Sequence, residues 1–215
     1  MKSSDKEPKI LFHDNHVLVA IKPAGMVVQE DEEEESISFE GWIKEYLQKT
    51  LKKETIFIKP VHRLDKPVEG LVLFARSSKA LSRLHLTQRD KSFEKFYIAK
   101  ISGHLKKPRG LLKHSLLHGD FRAEVVKEGG KEAKLRYRKV QESEQDSLVS
   151  IKLLTGRYHQ IRAQFAEIGH PIVGDDRYQS LRKYKKNQIA LYHTKLLFPH
   201  PITKKRLVFK FRPEI

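Results

Sequence analysis

The sequence predicts an α+β domain built on a mixed, mainly antiparallel central sheet with flanking helices. Three observations carry that expectation. Short apolar runs with strand periodicity dominate the chain. Two of them are joined by a polar turn and read as a hairpin. Helical stripes fall between the strands without a regular βα alternation. At 215 residues the chain is long enough to bury a core. It has no repeat and no linker, so residues 10–215 are expected to form one domain behind a flexible tail, 1–9.

Residues 16–29, HVLVAIKPAGMVVQ, read as a strand with Val17, Val19 and Ile21 on one face, ended by Pro23 and Gly25. An acidic run, Glu30 to Glu35, follows as a solvated loop. Over 38–51, Phe39, Trp42, Ile43, Tyr46 and Leu47 mark an amphipathic helix with Ser38 as N-cap. LVLFA, 71–75, is a continuous apolar strand, expected in the middle of a sheet. Residues 77–90 form a helix capped by Ser77 or Ser78. Residues 94–103 form a strand with Tyr97, Ala99 and Ile101 on one face. EAKLRYRKVQES and SLVSIKLLTG make the hairpin. Residues 156–171 turn helical, with Tyr158, Ile161, Phe165 and Ile168 as the stripe and Gly169 as the stop. Two strands, 189–198 and 206–213, complete the set.

Composition narrows the function. The formal net charge is +16, from 43 Lys and Arg against 27 Asp and Glu, although six of those acids sit together in EDEEEE. That balance points to a polyphosphate partner, with nucleic acid ahead of an acidic membrane. The chain has no cysteine, which excludes disulfides, thiolate metal sites and a cysteine nucleophile. The N-terminus lacks the apolar core of a signal peptide and no run approaches a membrane span, so a cytoplasmic address is expected. The histidine pair of HSLLH, His114 and His118, lacks a carboxylate third ligand, and no metal is expected. No Gly-rich phosphate cradle is present, and no cofactor is expected.

What remains is Asp65, set among cations in PVHRLDKPVEGLVLFARS, 60–77. A carboxylate there can serve as nucleophile or general base; a loop salt bridge accounts for it equally well on the residues alone. By pattern alone, Tyr97 reads as core and Arg162 as a helix-flank arginine.

Four stretches shift that balance. HRLDKPVEG resembles the HRLD motif of pseudouridine synthases of the RluA family, EKFYIA their Lys-x-Tyr-x-Ala strand, TGRYHQIRAQFAEIGHPIVGD their late arginine motif, and NHVLVAIKPAGM their opening strand and turn. Order and spacing agree from about residue 10 to the C-terminus. The resemblance implies a mainly antiparallel sheet with a central cleft and a cofactor-free isomerisation of uridine in RNA. It implies Asp65 as the catalytic carboxylate, Tyr97 packed against the target uracil, and Arg162 paired with Asp65. Arg63 would fill the gap left by a flipped base. Lys66 and Arg157 are expected at RNA, and His62, His159 and Gln160 to orient loops or touch phosphate. Lys22 is expected to support structure.

Two departures stand out: Val68-Glu69 replaces the family's usual Thr-Ser, and Gln164 replaces a histidine. The N-terminal S4 domain of many relatives is not expected here. The expected partner is a stem-loop of ribosomal or transfer RNA, met by a monomer. A catalytically inactive RNA-binding or RNA-folding protein on the same scaffold is the second reading, favoured by Glu69. An N-glycosidase using Asp65 and Glu69 is a third.

Overall fold

In the computed structural model, residues 7–29, 37–90 and 92–215 are described; the acidic run lies outside them. They hold eleven strands and three α-helices, in two compact units: one of residues 1–93 with 195–211, the other of 94–194 with 212–215.

In the first unit, strands β1 (Ile10–His13), β2 (Val17–Lys22) and β4 (Glu69–Ala75) are neighbours in that order. The two-residue β3 (Lys59–Pro60) pairs with the end of β4. β2 and β4 run antiparallel, from Val17 opposite Ala75 to Lys22 opposite Gly70. Both are buried on both faces, which is why β4 reads as an unbroken apolar run. Helix α1 (Phe39–Leu51) meets one face, its Phe39 ring 5.6 Å from that of Phe74. Helix α2 (Ser78–Arg89) meets the other, where Ala80 and Leu84 join Val17, Val19, Leu71 and Leu73 in one cluster. Both helices start at the expected caps: Ser38 accepts from the Gly41 amide at 3.0 Å and Ser77 from the Ala80 amide at 3.2 Å. The chain end adds β11 (Arg206–Lys210), antiparallel to β10 (Leu191–Pro199).

The second unit is an antiparallel set in which β5 (Glu94–Ser102), β9 (Asp146–Leu153), β8 (Lys131–Glu142), β6 (Arg109–His118) and β7 (Ala123–Val126) are successive neighbours. The hairpin expected from the sequence is the β8–β9 ladder. Helix α3 (Gln160–Glu167) lies on the face that carries Tyr137, whose ring is 5.9 Å from Phe165.

α3 is shorter than the apolar stripe predicts. His159 takes a left-handed backbone, φ 48° and ψ 24°, so the helix starts after it and Tyr158 stays exposed, stacked on the His159 ring at 3.8 Å. The C-terminal end matches expectation. Gly169 has φ 80°; its amide donates to Ala166 and that of His170 to Phe165, both at 2.9 Å. Those are the two bonds of a Schellman motif.

Candidate active site

The loop carrying Asp65 is pinned along its length. The Val61 amide donates to the Leu73 carbonyl at 2.8 Å, and the Val61 carbonyl accepts from Gln88 at 2.8 Å. His62 is buried, and its Nε2 accepts the Leu73 amide at 3.2 Å. Beyond Asp65, the Val68 amide closes a turn onto the Asp65 carbonyl at 3.0 Å. Lys66 gives its carbonyl to the Gly25 amide at 2.8 Å, tying the loop to the Lys22-Pro23-Ala24-Gly25 turn. Arg63 and Lys66 are exposed, and Asp65 between them is partly buried.

Beneath this loop lies Lys22, fully buried at the end of β2. Its Nζ donates to the carbonyls of Pro23 at 2.8 Å, Met26 at 2.7 Å and Lys66 at 3.2 Å. An ammonium has three donors, and each meets one carbonyl. Burial pulls the Lys22 pKa down to about 7, against the opposing pull of the Asp65 and then the Glu69 carboxylates. The charge that Glu69 introduces is therefore set against a buried cation. The family resemblance leads one to expect a supporting role for Lys22; its full burial is hidden in the sequence, because a lysine ending a strand ordinarily extends to water.

In the second unit, Tyr97 is buried on β5, its ring stacked on His193 with centroids 4.6 Å apart and planes 20° apart. Lys95 shares the Tyr97 face by strand alternation, and burial lowers its pKa. A Cβ on Gly156 would stand 3.1 Å from Lys95 Nζ, so the glycine of TGR lies close to the tip of this lysine.

Arg162 is buried on α3 and held by a fork. Its Nε donates to Asp175 Oδ2 at 2.6 Å and its Nη2 to Oδ1 at 2.8 Å. Nη1 reaches His159 Nε2 at 2.7 Å. Arginine can only donate, so Nε2 must accept and the His159 proton must sit on Nδ1. Nδ1 faces the Tyr178 hydroxyl at 3.2 Å. That hydroxyl donates to the Ala123 carbonyl at 3.0 Å and takes the Ala123 amide at 2.9 Å. One consistent chain of donors thus runs from the guanidinium to the backbone of β7. The Arg162 guanidinium also lies over the Tyr178 ring, 5.2 Å from its centroid.

Gln160 is buried as well: its Oε1 accepts from Thr155 at 2.8 Å and from the Arg157 amide at 3.0 Å, and its Nε2 donates to the Lys134 carbonyl at 3.0 Å. Arg157 itself is exposed, with Nε on the Glu132 carbonyl at 3.0 Å. The burial of His62, His159 and Gln160 suits positioning better than phosphate contact. Arg63, Lys66 and Arg157 keep the exposure that phosphate contact requires.

Sequence reasoning missed Asp175 and Lys95. A buried guanidinium demands a carboxylate, and the late motif ends in one, so Asp175 could have been found by asking what holds Arg162. Lys95 could have been found from its place two residues before Tyr97 on a strand.

Residues 16–167 match the family described as RNA pseudouridylate synthase. The chain belongs to the RNA pseudouridylate synthase family. It is 31% identical over 209 residues to a ribosomal large subunit pseudouridine synthase C from Vibrio vulnificus (strain CMCP6), covering 94% of this chain and 64% of that one. It is 33% identical over 207 residues to the protein of the same name from Escherichia coli (strain K12), covering 90% of this chain and 63% of that one. The chain thus spans somewhat less than two thirds of these relatives. A solved structure named human RNA pseudouridylate synthase domain containing 1 matches with a TM-score of 0.78 at 18% identity, covering 96% of this chain and 84% of that one. That likeness establishes the pseudouridylate synthase fold, as the resemblance of the four motifs implied.

Proposed function

We propose that this chain isomerises uridines in structured RNA to pseudouridine, with Asp65 as the catalytic carboxylate. The observation that carries the reading is the Asp65 loop. Its neighbours are tied down by backbone and side-chain bonds, and Asp65 lies partly buried between the exposed Arg63 and Lys66. Such a loop presents one reactive group in a fixed place, which chemistry on a held substrate needs.

The N1–C1′ bond of uridine breaks, the uracil turns while held, and C5 bonds to C1′. C5 gives up a proton and N1 gains one, so nothing is added or lost and no cofactor is called for. An ionised Asp65 can begin this by attacking C1′ or by taking the C2′ proton to give a glycal. Tyr97 packs against the uracil, and Arg162 serves as the cation that keeps Asp65 ionised. Extruding the base costs a few kcal/mol, and Arg63 fills the space it leaves. Lys66 and Arg157 hold flanking phosphate, and His62, His159 and Gln160 fix the elements that carry the site. Ribosomal or transfer RNA stem-loops are the proposed substrates, acted on in the cytoplasm by a monomer.

The test is Asp65→Asn, assayed by a chemistry that stops reverse transcription at pseudouridine. Conversion should fall on the order of 10³–10⁴-fold, the scale for losing a group that acts in the chemical step, with RNA affinity unchanged. Turnover retained in this variant removes Asp65 from the reaction.

A further inference from the structure

The ladders of the second unit place cations opposite cations. Arg109 faces Arg138 and Lys113 faces Lys134 across β6 and β8, and Arg136 faces Lys152 across β8 and β9. Strand alternation puts all six on one face of the sheet, while Tyr97, Ile151 and Tyr137 are buried on the other. α3 packs on the Tyr137 side, so it does not cover the cationic face. Arg109, Lys113, Arg136 and Arg138 are exposed.

Like charges directly opposite one another destabilise a sheet. Two carboxylates relieve part of the strain. Glu132 meets Lys134 at 2.7 Å and Lys113 at 3.4 Å, and Glu94 meets Lys152 at 2.7 Å. Arg109, Arg136 and Arg138 have no ion pair among the described residues. A face with this arrangement is suited to a polyanion that supplies the missing charge.

Its chemistry narrows the polyanion. The aromatic on this face is Phe96, and its ring lies under Lys152 Nζ at 5.3 Å. Single strands are gripped by stacking bases on open aromatic rings, and this face presents cations instead. Double-stranded RNA is held by shape and by phosphate and 2′-hydroxyl contacts.

We infer that the sheet face bearing Arg109, Arg136 and Arg138 is a second RNA-docking surface, which grips the phosphate backbone of a duplex flanking the target uridine. The inference rests on the RNA substrate proposed above and assigns a part of that substrate to the side of the sheet opposite Tyr97.

The test compares wild type with the double variant Arg136→Gln/Arg138→Gln. The probes are a labelled 20-base-pair RNA duplex, a poly(U) oligonucleotide and vesicles containing phosphatidylserine. Each phosphate contact contributes close to one unit to the slope of log affinity against log salt. The variant should bind the duplex at least about tenfold more weakly at 0.1 M salt, with the slope smaller by about 2. Binding of poly(U) should be unchanged. The variant's melting temperature should equal or exceed that of wild type, because two of the three like-charge pairs are gone. Unchanged duplex affinity and slope overturn the inference, as does a loss confined to the vesicles. Failure of the wild type to make pseudouridine, with the duplex effect present, overturns the reaction and leaves the docking surface standing.

Discussion

Arg162 serves the fold before it can serve any chemistry. Its fork on Asp175 is buried on both sides, and removing one partner of such a pair costs about 3–5 kcal/mol because the other charge is stranded. Arg162→Ala should therefore lose that much stability in urea unfolding, besides its turnover. Replacing both partners by apolar residues of similar size is often neutral. Arg162→Met with Asp175→Leu should regain most of the stability and none of the pseudouridine formation. Recovery of turnover in the double variant would confine Arg162 to structure. At this scale the sequence was partly legible. The motif singled out Arg162, but its partner lies thirteen residues on, beyond a glycine stop, where periodicity carries no information. Lys22 was legible as a supporting residue. Its burial was not, because the carbonyls that receive it come from two separate loops.

At the scale of elements, what the residues encode locally was readable. α1 and α2 begin at capping serines, α3 ends on Gly169, and β4 shows as a solid apolar run. β6 and β7 went unseen. The leucines of β6 come as doublets, Leu111-Leu112 and Leu116-Leu117, so they fit neither period, and Leu111 and Leu117 are exposed. The start of α3 was misplaced because His159 adopts the left-handed region, which costs a residue other than glycine, asparagine or aspartate about 1–2 kcal/mol. That geometry aims Nε2 at Arg162. His159→Asn tolerates the backbone but is too short to reach the guanidinium. It should lower kcat by about tenfold while RNA affinity and its salt slope stay fixed. A fall in affinity with a smaller slope would instead make His159 a phosphate contact.

For the molecule as a whole, charge couples stability to pH. Lys22 has a folded pKa of about 7 against an ordinary value of 10.5. Between those values the unfolded chain holds a proton at this site that the folded chain lacks, so stability rises with pH across the window. The contribution is full above pH 10.5 and lost as pH falls to about 7. Its slope is at most about 1.4 kcal/mol per pH unit. Urea unfolding at pH 7.5 and 9.5 should show the rise in wild type and a flatter profile in Lys22→Met. Equal slopes would mean that Lys22 stays charged throughout.

Below about pH 7, where Lys22 holds its proton, the three carbonyls around Nζ do for this loop what an oxygen cage does for a captured alkali metal ion. Here the ion is tethered to the backbone by its own side chain, so dialysis, chelators and brine cannot strip it out. Raising ionic strength should accordingly release bound nucleic acid long before it loosens the chain segment that presents the carboxylate.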